Sequence, residues 1–261
     1  MFAVFQHRIA TLLVVKGQAL EPIWPAQKWR LRQHLLVPLL TIGISKMQKF
    51  DILKAVAAPF PYANVDTDRI IRIERCARVA RQDIWHWAFE SERFREDGSD
   101  NSEFVLNQPM FRQSGILIAS ENFGCGSSRE MAVWAIAGMG IRCVIAPSFG
   151  EIFFGNCFQN GVLPIRLSSQ EVADLQEMLL QGAKTNDSSQ VILTIDLIEQ
   201  TINTSTLQTY SFEVDPLRRI SLLEGLDPIA LTLKSLSLIE STEARSKQNQ
   251  PWVWSVPRSA L

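Results

Sequence analysis

The chain has 261 residues, 46% of them hydrophobic and 20% charged, with 26 Lys and Arg against 27 Asp and Glu for a net charge of −1. That is enough apolar material for a core without disulfide or metal staples, and it excludes a disordered or collagen-like chain. A non-specific nucleic-acid binder would show a basic excess, and none is present.

Residues 1–46 form a basic, acid-poor leader, with Arg8, Lys16, Lys28, Arg30, Arg32 and Lys46 against Glu21 alone. Its apolar run, Leu35 to Ile44, is short and interrupted by Pro38. A bilayer span needs about 20 apolar residues, so this is no transmembrane helix. The basic residues do not precede a run closed by small residues, so a signal peptide does not fit. A transit-like segment and an upstream start, with Met47 as initiator, remain; the second is preferred because well-patterned sequence begins right after Met47.

From Met47 the pattern reads as one mixed α/β domain over residues 47–245. Asp97 to Ser102 is a loop by its turn chemistry. Gly115 to Ala119 reads as a buried strand, then a glycine-rich turn, then a helix from Arg129 to Met139 closed by Gly140, then a strand from Arg142 to Ala146. Strand, turn, helix and strand make a βαβ unit with parallel strands. A short helix is expected from Pro147 and Ser148 to about Asn160, a strand at Val162 to Leu167, and an amphipathic helix from Ser169. Val191 to Leu197 and Thr206 to Val214 read as an antiparallel pair. Pro216 opens a helix ending at Gly225, and Asp227-Pro228 opens a last one from Ile229 to about Ala244. The tail, residues 246–261, carries Trp252 and Trp254 and reads as a disordered segment or an anchoring arm.

Cys76, Cys125, Cys143 and Cys157 form no C-x-x-C pair, and the histidines are His7, His34 and His86, with no H-E-x-x-H. The expectation is free thiols in a reducing cytoplasm and no metal site on this chain.

The informative stretch is Asn122-Phe-Gly-Cys-Gly-Ser-Ser-Arg-Glu130. Gly124 and Gly126 permit positive φ and close approach of a ligand. The helix that follows offers free N–H groups and a positive dipole end to an anion. Arg129, expected in the first turn, sits where the dipole disfavours a cation, beside N–H groups with which it could grip a carboxylate. Ser127 and Glu130 also match the capping box S-x-x-E, so Ser127 reads equally as a plain cap. The turn lacks the Walker-A lysine and the G-x-S-x-G of a hydrolase elbow. A second stretch, Asn64-Val-Asp-Thr-Asp-Arg-Ile-Ile71, reads as an Asx-type turn feeding a strand, or as a polar cluster that orients an arginine or a substrate hydroxyl.

Together these stretches, with Val144-Ile-Ala-Pro-Ser-Phe149, Asn160-Gly-Val-Leu-Pro164 and Gly225-Leu-Asp-Pro-Ile-Ala-Leu-Thr-Leu233, resemble the small subunits of 3-isopropylmalate dehydratase, of the aconitase superfamily, from about Met47 to Ala244. The resemblance implies a swivelling β/β/α domain of the aconitase C-terminal type, a mixed sheet with flanking helices, docked on a large subunit that carries a [4Fe–4S] cluster. It implies dehydration of 2-isopropylmalate and rehydration to 3-isopropylmalate in leucine biosynthesis. Ser127 matches the proton-abstracting serine and Arg129 the carboxylate-binding arginine; Ser128, Gly126, Asn122, Asp66, Thr67 and Asp68 complete the expected substrate site. No nucleic acid or membrane partner is implied.

Met131 departs from the family's usual histidine, and Arg72 stands where proline is expected. The segment Arg72 to Asp83 is strongly basic, in a region that in the family helps read the substrate's side group. Arginines suit an extra carboxylate, and equally a solvated or docking face. Citraconate and dimethylmalate hydratases therefore stay open as alternatives, as do a non-catalytic small-anion module and a scaffold acting through the Trp tail.

Overall fold

A computed structural model describes residues 47–126 and 129–254, within one compact unit, Gly43–Leu261. The expected leader, Ser127 and Ser128, and the last residues of the tail lie outside the described residues.

Strand β1 (Ile52–Phe60) is followed by three single-turn helices, α1 (Thr67–Ile70), α2 (Ile73–Cys76) and α3 (Glu90–Arg93). Then come β2 (Ile116–Ala119), α4 (Glu130–Gly138), β3 (Cys143–Ala146), α5 (Glu151–Gln159), β4 (Leu163–Arg166) and α6 (Ser169–Thr185). The chain continues through β5 (Ile192–Asp196), β6 (Thr201–Thr204) and β7 (Thr209–Ser211). It closes with α7 (Pro216–Glu224), α8 (Pro228–Leu233), α9 (Leu236–Asn249) and α10 (Pro251–Trp254).

The strands form one seven-stranded sheet in the order β4-β3-β2-β1-β5-β6-β7. From β1 to β4 all pairs are parallel, and from β1 to β7 all are antiparallel. β2 and β3 are buried at every position, as parallel strands covered on both faces must be. β5 alternates between buried and half-exposed residues, so only one of its faces meets the core. Helix α6 returns the chain to the other side of β1 and packs across β1, β2 and β3. Its Ser168 cap is a full capping box: Ser168 accepts from Glu171 N, and Glu171 reaches back to Ser168 N at 2.9 Å.

The expected βαβ unit is present, with two shifts. Helix α4 starts at Glu130 rather than Arg129, and α5 starts at Glu151 rather than at Pro147. Ser148 and Phe149 are spent on the turn described below, which holds them extended. The antiparallel half corrects the sequence reading. The partner of β5 is β6, over Thr201–Thr204, and β7 pairs with β6 instead of β5. The last helix is two: Lys234 and Ser235 donate to Leu231 and Thr232, a tightened turn that ends α8 before α9 begins. The tail through Trp254 is helical, and Trp254 Nε1 donates to Ser246 Oγ at 3.1 Å.

The core beneath the site is aromatic. Phe60, at the end of β1, meets Phe89 at 5.2 Å and Phe123 at 6.2 Å, and Phe123 meets Phe153 at 5.5 Å between ring centres. Phe60, Phe89 and Phe123 are fully buried. Such rings add tilted and edge contacts to their large buried area, so the floor under the loops is stiff.

Candidate active site

Three loops leave the carboxyl ends of three adjacent parallel strands: Pro61–Asp66 after β1, Ser120–Gly126 after β2, and Pro147–Gly150 after β3. In open α/β sheets this is the end where ligands bind. The glycine turn is pinned from both sides. Gly124 N and Cys125 N donate to Val65 O, at 2.7 and 3.2 Å, and Thr67 N donates back to Cys125 O at 3.0 Å. Opposite, Phe123 N donates to Ser148 O and Gly150 N donates to Phe123 O. Gly124 has φ +73°, and a Cβ there would lie 2.2 Å from Phe153 Cγ, so only glycine fits.

Asn122 holds the start of the turn. It too has positive φ, its N donates to Ser148 Oγ at 2.8 Å, and its Nδ2 donates to Asn64 Oδ1 at 2.8 Å. Asn122 is thus placed as a loop clamp between Asn64 and Ser148. Neither partner was singled out as a contact from the sequence, because both bonds join separate loops.

At the other end, Asp66 caps α1, its Oδ1 accepting from Arg69 N at 2.7 Å. The stretch Asn64–Ile71 therefore feeds a helix and not a strand. Thr67 is buried, and Asp66 Cβ would stand 3.4 Å from a Cβ on Gly126. Asp68 is half-exposed and forms an ion pair with Arg129, whose side chain is 15% exposed. The hydrogen bond from Arg129, joined by one from Ile73 N–H, holds the Asp68 carboxyl below its ordinary range. The same bond to Asp68 pushes the Arg129 guanidinium up. The structure thus brings Asp66, Thr67, Asp68, Gly126 and Arg129 together.

Arg129 stands at the N-cap of α4, extended at φ −101°, not inside the first turn. It makes no side-chain cap bond. Glu130 is the first helical residue, one position after the cap, so it lacks the third-position register of a capping box; its Oε1 accepts from Asn160 Nδ2 at 3.0 Å. The plain-cap reading of Ser127 falls on a residue outside the described ones.

Three arginines of the basic segment are partnered. Arg75 bonds Glu90 at 2.6 Å and covers the Trp87 ring at 3.5 Å. Arg72 lies 3.6 Å from Glu90, and Arg81 donates to Asn160 Oδ1 at 2.8 Å. Cys76 sits close enough to Arg129 and Asp68 to feel both charges, though burial dominates and pushes its thiol up. Among the described residues no group of His, Cys, Asp and Glu could hold a metal ion, and no helix is long and apolar enough to cross a membrane.

A family model, the aconitase C-terminal domain, matches residues 47–170. The 3-isopropylmalate dehydratase small subunit of Roseobacter denitrificans is 45% identical over 207 residues, which cover 79% of this chain and 100% of that protein. The chain belongs to the 3-isopropylmalate dehydratase small-subunit family. A second small subunit, from Gluconacetobacter diazotrophicus, is 48% identical over 206 residues, 79% of this chain and 97% of its own. The crystal structure of a 3-isopropylmalate dehydratase from Methanocaldococcus jannaschii aligns with a TM-score of 0.51 and 30% identity, over 74% of this chain and 99% of that one. Membership fixes the fold as the swivelling α/β type of the aconitase C-terminal domain, and the chain as a hydro-lyase subunit.

Proposed function

We propose that this chain acts with a large subunit to isomerise 2-isopropylmalate and 3-isopropylmalate, by removing and re-adding water, as a step of leucine biosynthesis in the cytoplasm. The observation that carries the reading is Arg129, held at the head of α4 by Asp68 beside the glycine turn. A guanidinium so oriented takes a substrate carboxylate through two parallel N–H bonds, and Gly126 leaves room for the ligand to approach the backbone.

Ser127, two residues earlier in the chain, is the assigned base for the carbon-bound proton, with Ser128 and Thr67 as further contacts. A serine hydroxyl is a poor base near neutral pH. A helix N-terminus contributes at most about 2 kcal/mol to a nearby anion, or roughly 1.5 pKa units. Arg129 and exclusion of water on assembly must supply the rest. The proton passes to the serine oxygen and hydroxide leaves the neighbouring carbon; re-addition returns both in the other orientation. The [4Fe–4S] cluster assigned to the large subunit would supply the Lewis acid for that hydroxide.

The test is co-purification with a cluster-bearing large subunit, then assay on isopropylmalate, citraconate and dimethylmalate. Turnover of isopropylmalate by the pair, and none by the chain alone, is expected. Preference for citraconate or dimethylmalate would reassign the substrate, and turnover by the isolated chain would overturn the division of labour.

A further inference from the structure

Asn160 lies outside the anion site, at the end of α5 just before β4, yet it holds the first residue of α4. Its side-chain amide uses its full capacity. Nδ2 donates to Glu130 Oε1 at 3.0 Å and to Asn156 O at 2.9 Å. Oδ1 accepts from Trp134 Nε1 at 2.9 Å and from Arg81 Nη2 at 2.8 Å. Two donors and two lone pairs are all that an amide has. The partners also fix which end is oxygen: two pure donors face one side, a carboxylate and a carbonyl the other. Arg81 is further placed by the Trp134 ring, 4.6 Å beneath its guanidinium.

The amide therefore stands between a carboxylate and a guanidinium and joins them without direct contact. Glu130 follows Arg129 in the chain. Held by Asn160, its carboxylate is occupied away from the guanidinium that Asp68 orients. Released, it would be a second acid competing for Arg129 and repelling an anionic ligand. The anchor itself is rigid: Asn160 N bonds back to Asn156 O and Cys157 O, Cys157 is fully buried, and β4 pairs with β3.

We propose that Asn160 is a positioning residue of the substrate-anion site, its amide bridging Glu130 at the head of α4 to Arg81 and Trp134 so that Arg129 is kept free for the substrate. The inference rests on the proposed reaction for its kinetic arm only.

The test is Asn160→Asp in the assembled enzyme. It keeps acceptors for Trp134 and Arg81, removes both donors, and sets a carboxylate against Glu130. KM for isopropylmalate should rise about tenfold, the worth of one charge-assisted hydrogen bond, with kcat changed far less. The paired variant Asn160→Asp/Glu130→Gln moves the amide to the helix side and should restore KM. Arg81→Ala, at an exposed residue, tests the other arm should the first variant fail to assemble, and should raise KM about threefold through the loss of one exposed partner. Hydrogen exchange of the peptide spanning residues 122–131 gives a readout that needs no substrate: faster in Asn160→Asp, restored in the pair. If the wild-type pair does not turn over isopropylmalate, the reaction is wrong and exchange alone judges the bridge. A lower Tm with unchanged KM and unchanged exchange, or a pair that restores neither, overturns the proposal.

Discussion

Gly150→Ala probes how tightly the glycine turn is seated. Gly150 has φ −60° and ψ 127°, a conformation alanine adopts freely, so the substitution brings no backbone strain. Its cost is contact. A Cβ there would lie 2.4 Å from Gly124 O, 2.9 Å from Gly124 C and 3.0 Å from Cys125 Cα. All three are backbone atoms of the turn, whose Gly124 and Cys125 N–H groups are bonded to Val65 O, so none can rotate aside. Raising the shortest contact from 2.4 Å to 3.0 Å moves the turn by about 0.6 Å. Overpacking of this kind costs about 1–3 kcal/mol. For a domain of this size that lowers Tm by roughly 3–10 °C. Displacement of reacting groups by about 1 Å can cost a hundredfold in rate, so kcat/KM of the assembled enzyme should fall about ten- to a hundredfold. Gly155→Ala is the control: it lies within α5 with nothing within 4 Å of its would-be Cβ, and it should stabilise by about 0.5–1 kcal/mol. Thermal melts and initial rates on both variants decide the matter. Wild-type kcat/KM in Gly150→Ala, with a Tm no lower than that of Gly155→Ala, would refute the reasoning.

Ser127→Ala in the assembled enzyme should cut kcat at least a hundredfold, the usual worth of a positioned base, with KM retained; unchanged turnover would remove Ser127 from the chemistry. Asp68→Asn should weaken substrate binding by releasing Arg129, and should cost under about 1 kcal/mol of stability because the pair is partly exposed. The folded pKa of Asp68 is depressed, so its stabilisation is present above the unfolded value near 3.9 and is lost as pH falls through the folded value. Urea melts should therefore show the wild-type advantage over Asp68→Asn at pH 7 shrinking at pH 3, and a constant difference would contradict the ion pair. Native alkylation followed by mass spectrometry should label Cys76 and Cys125 but not Cys143 or Cys157, whose thiols are fully buried and pushed up by burial. Labelling of Cys143 in the native state would place it wrongly.

In the parallel half of the sheet β2, β3 and β4 were legible in the sequence, β2 and β3 as unbroken apolar runs bounded by glycine and loop residues, whereas β1, Ile52–Phe60, was not read as a strand. In the antiparallel half β5 and β7 fell within strands read from the sequence, but β6 was missed because it reads Thr-Ile-Asn-Thr and has little apolar signal. Its register is set instead by Asp196, whose Oδ1 accepts from Ile198 and Glu199 N at 2.8 and 2.9 Å and turns the chain early. In the site, the glycine turn and the acidic stretch stood out as motifs. What joined them did not: Asp68 and Arg129 are 61 residues apart, and no local pattern couples them. The polar-cluster alternative for Asp66 to Asp68 anticipated an oriented arginine, and the structure supplies it as Arg129. Asn160 was quoted as part of a matching segment, but its four bonds converge from three separate stretches of chain and leave no trace in spacing.

The change of strand direction at β1 divides labour across the sheet. Every loop of the site leaves the parallel side, while β7 closes the opposite edge with β5 and β6 in between. The β6–β7 hairpin ends at Leu207, which is 94% exposed. That tip is a natural mounting point: a fluorophore, a surface tether or a fused reporter placed there would ride on the domain while its chemical end stays unencumbered.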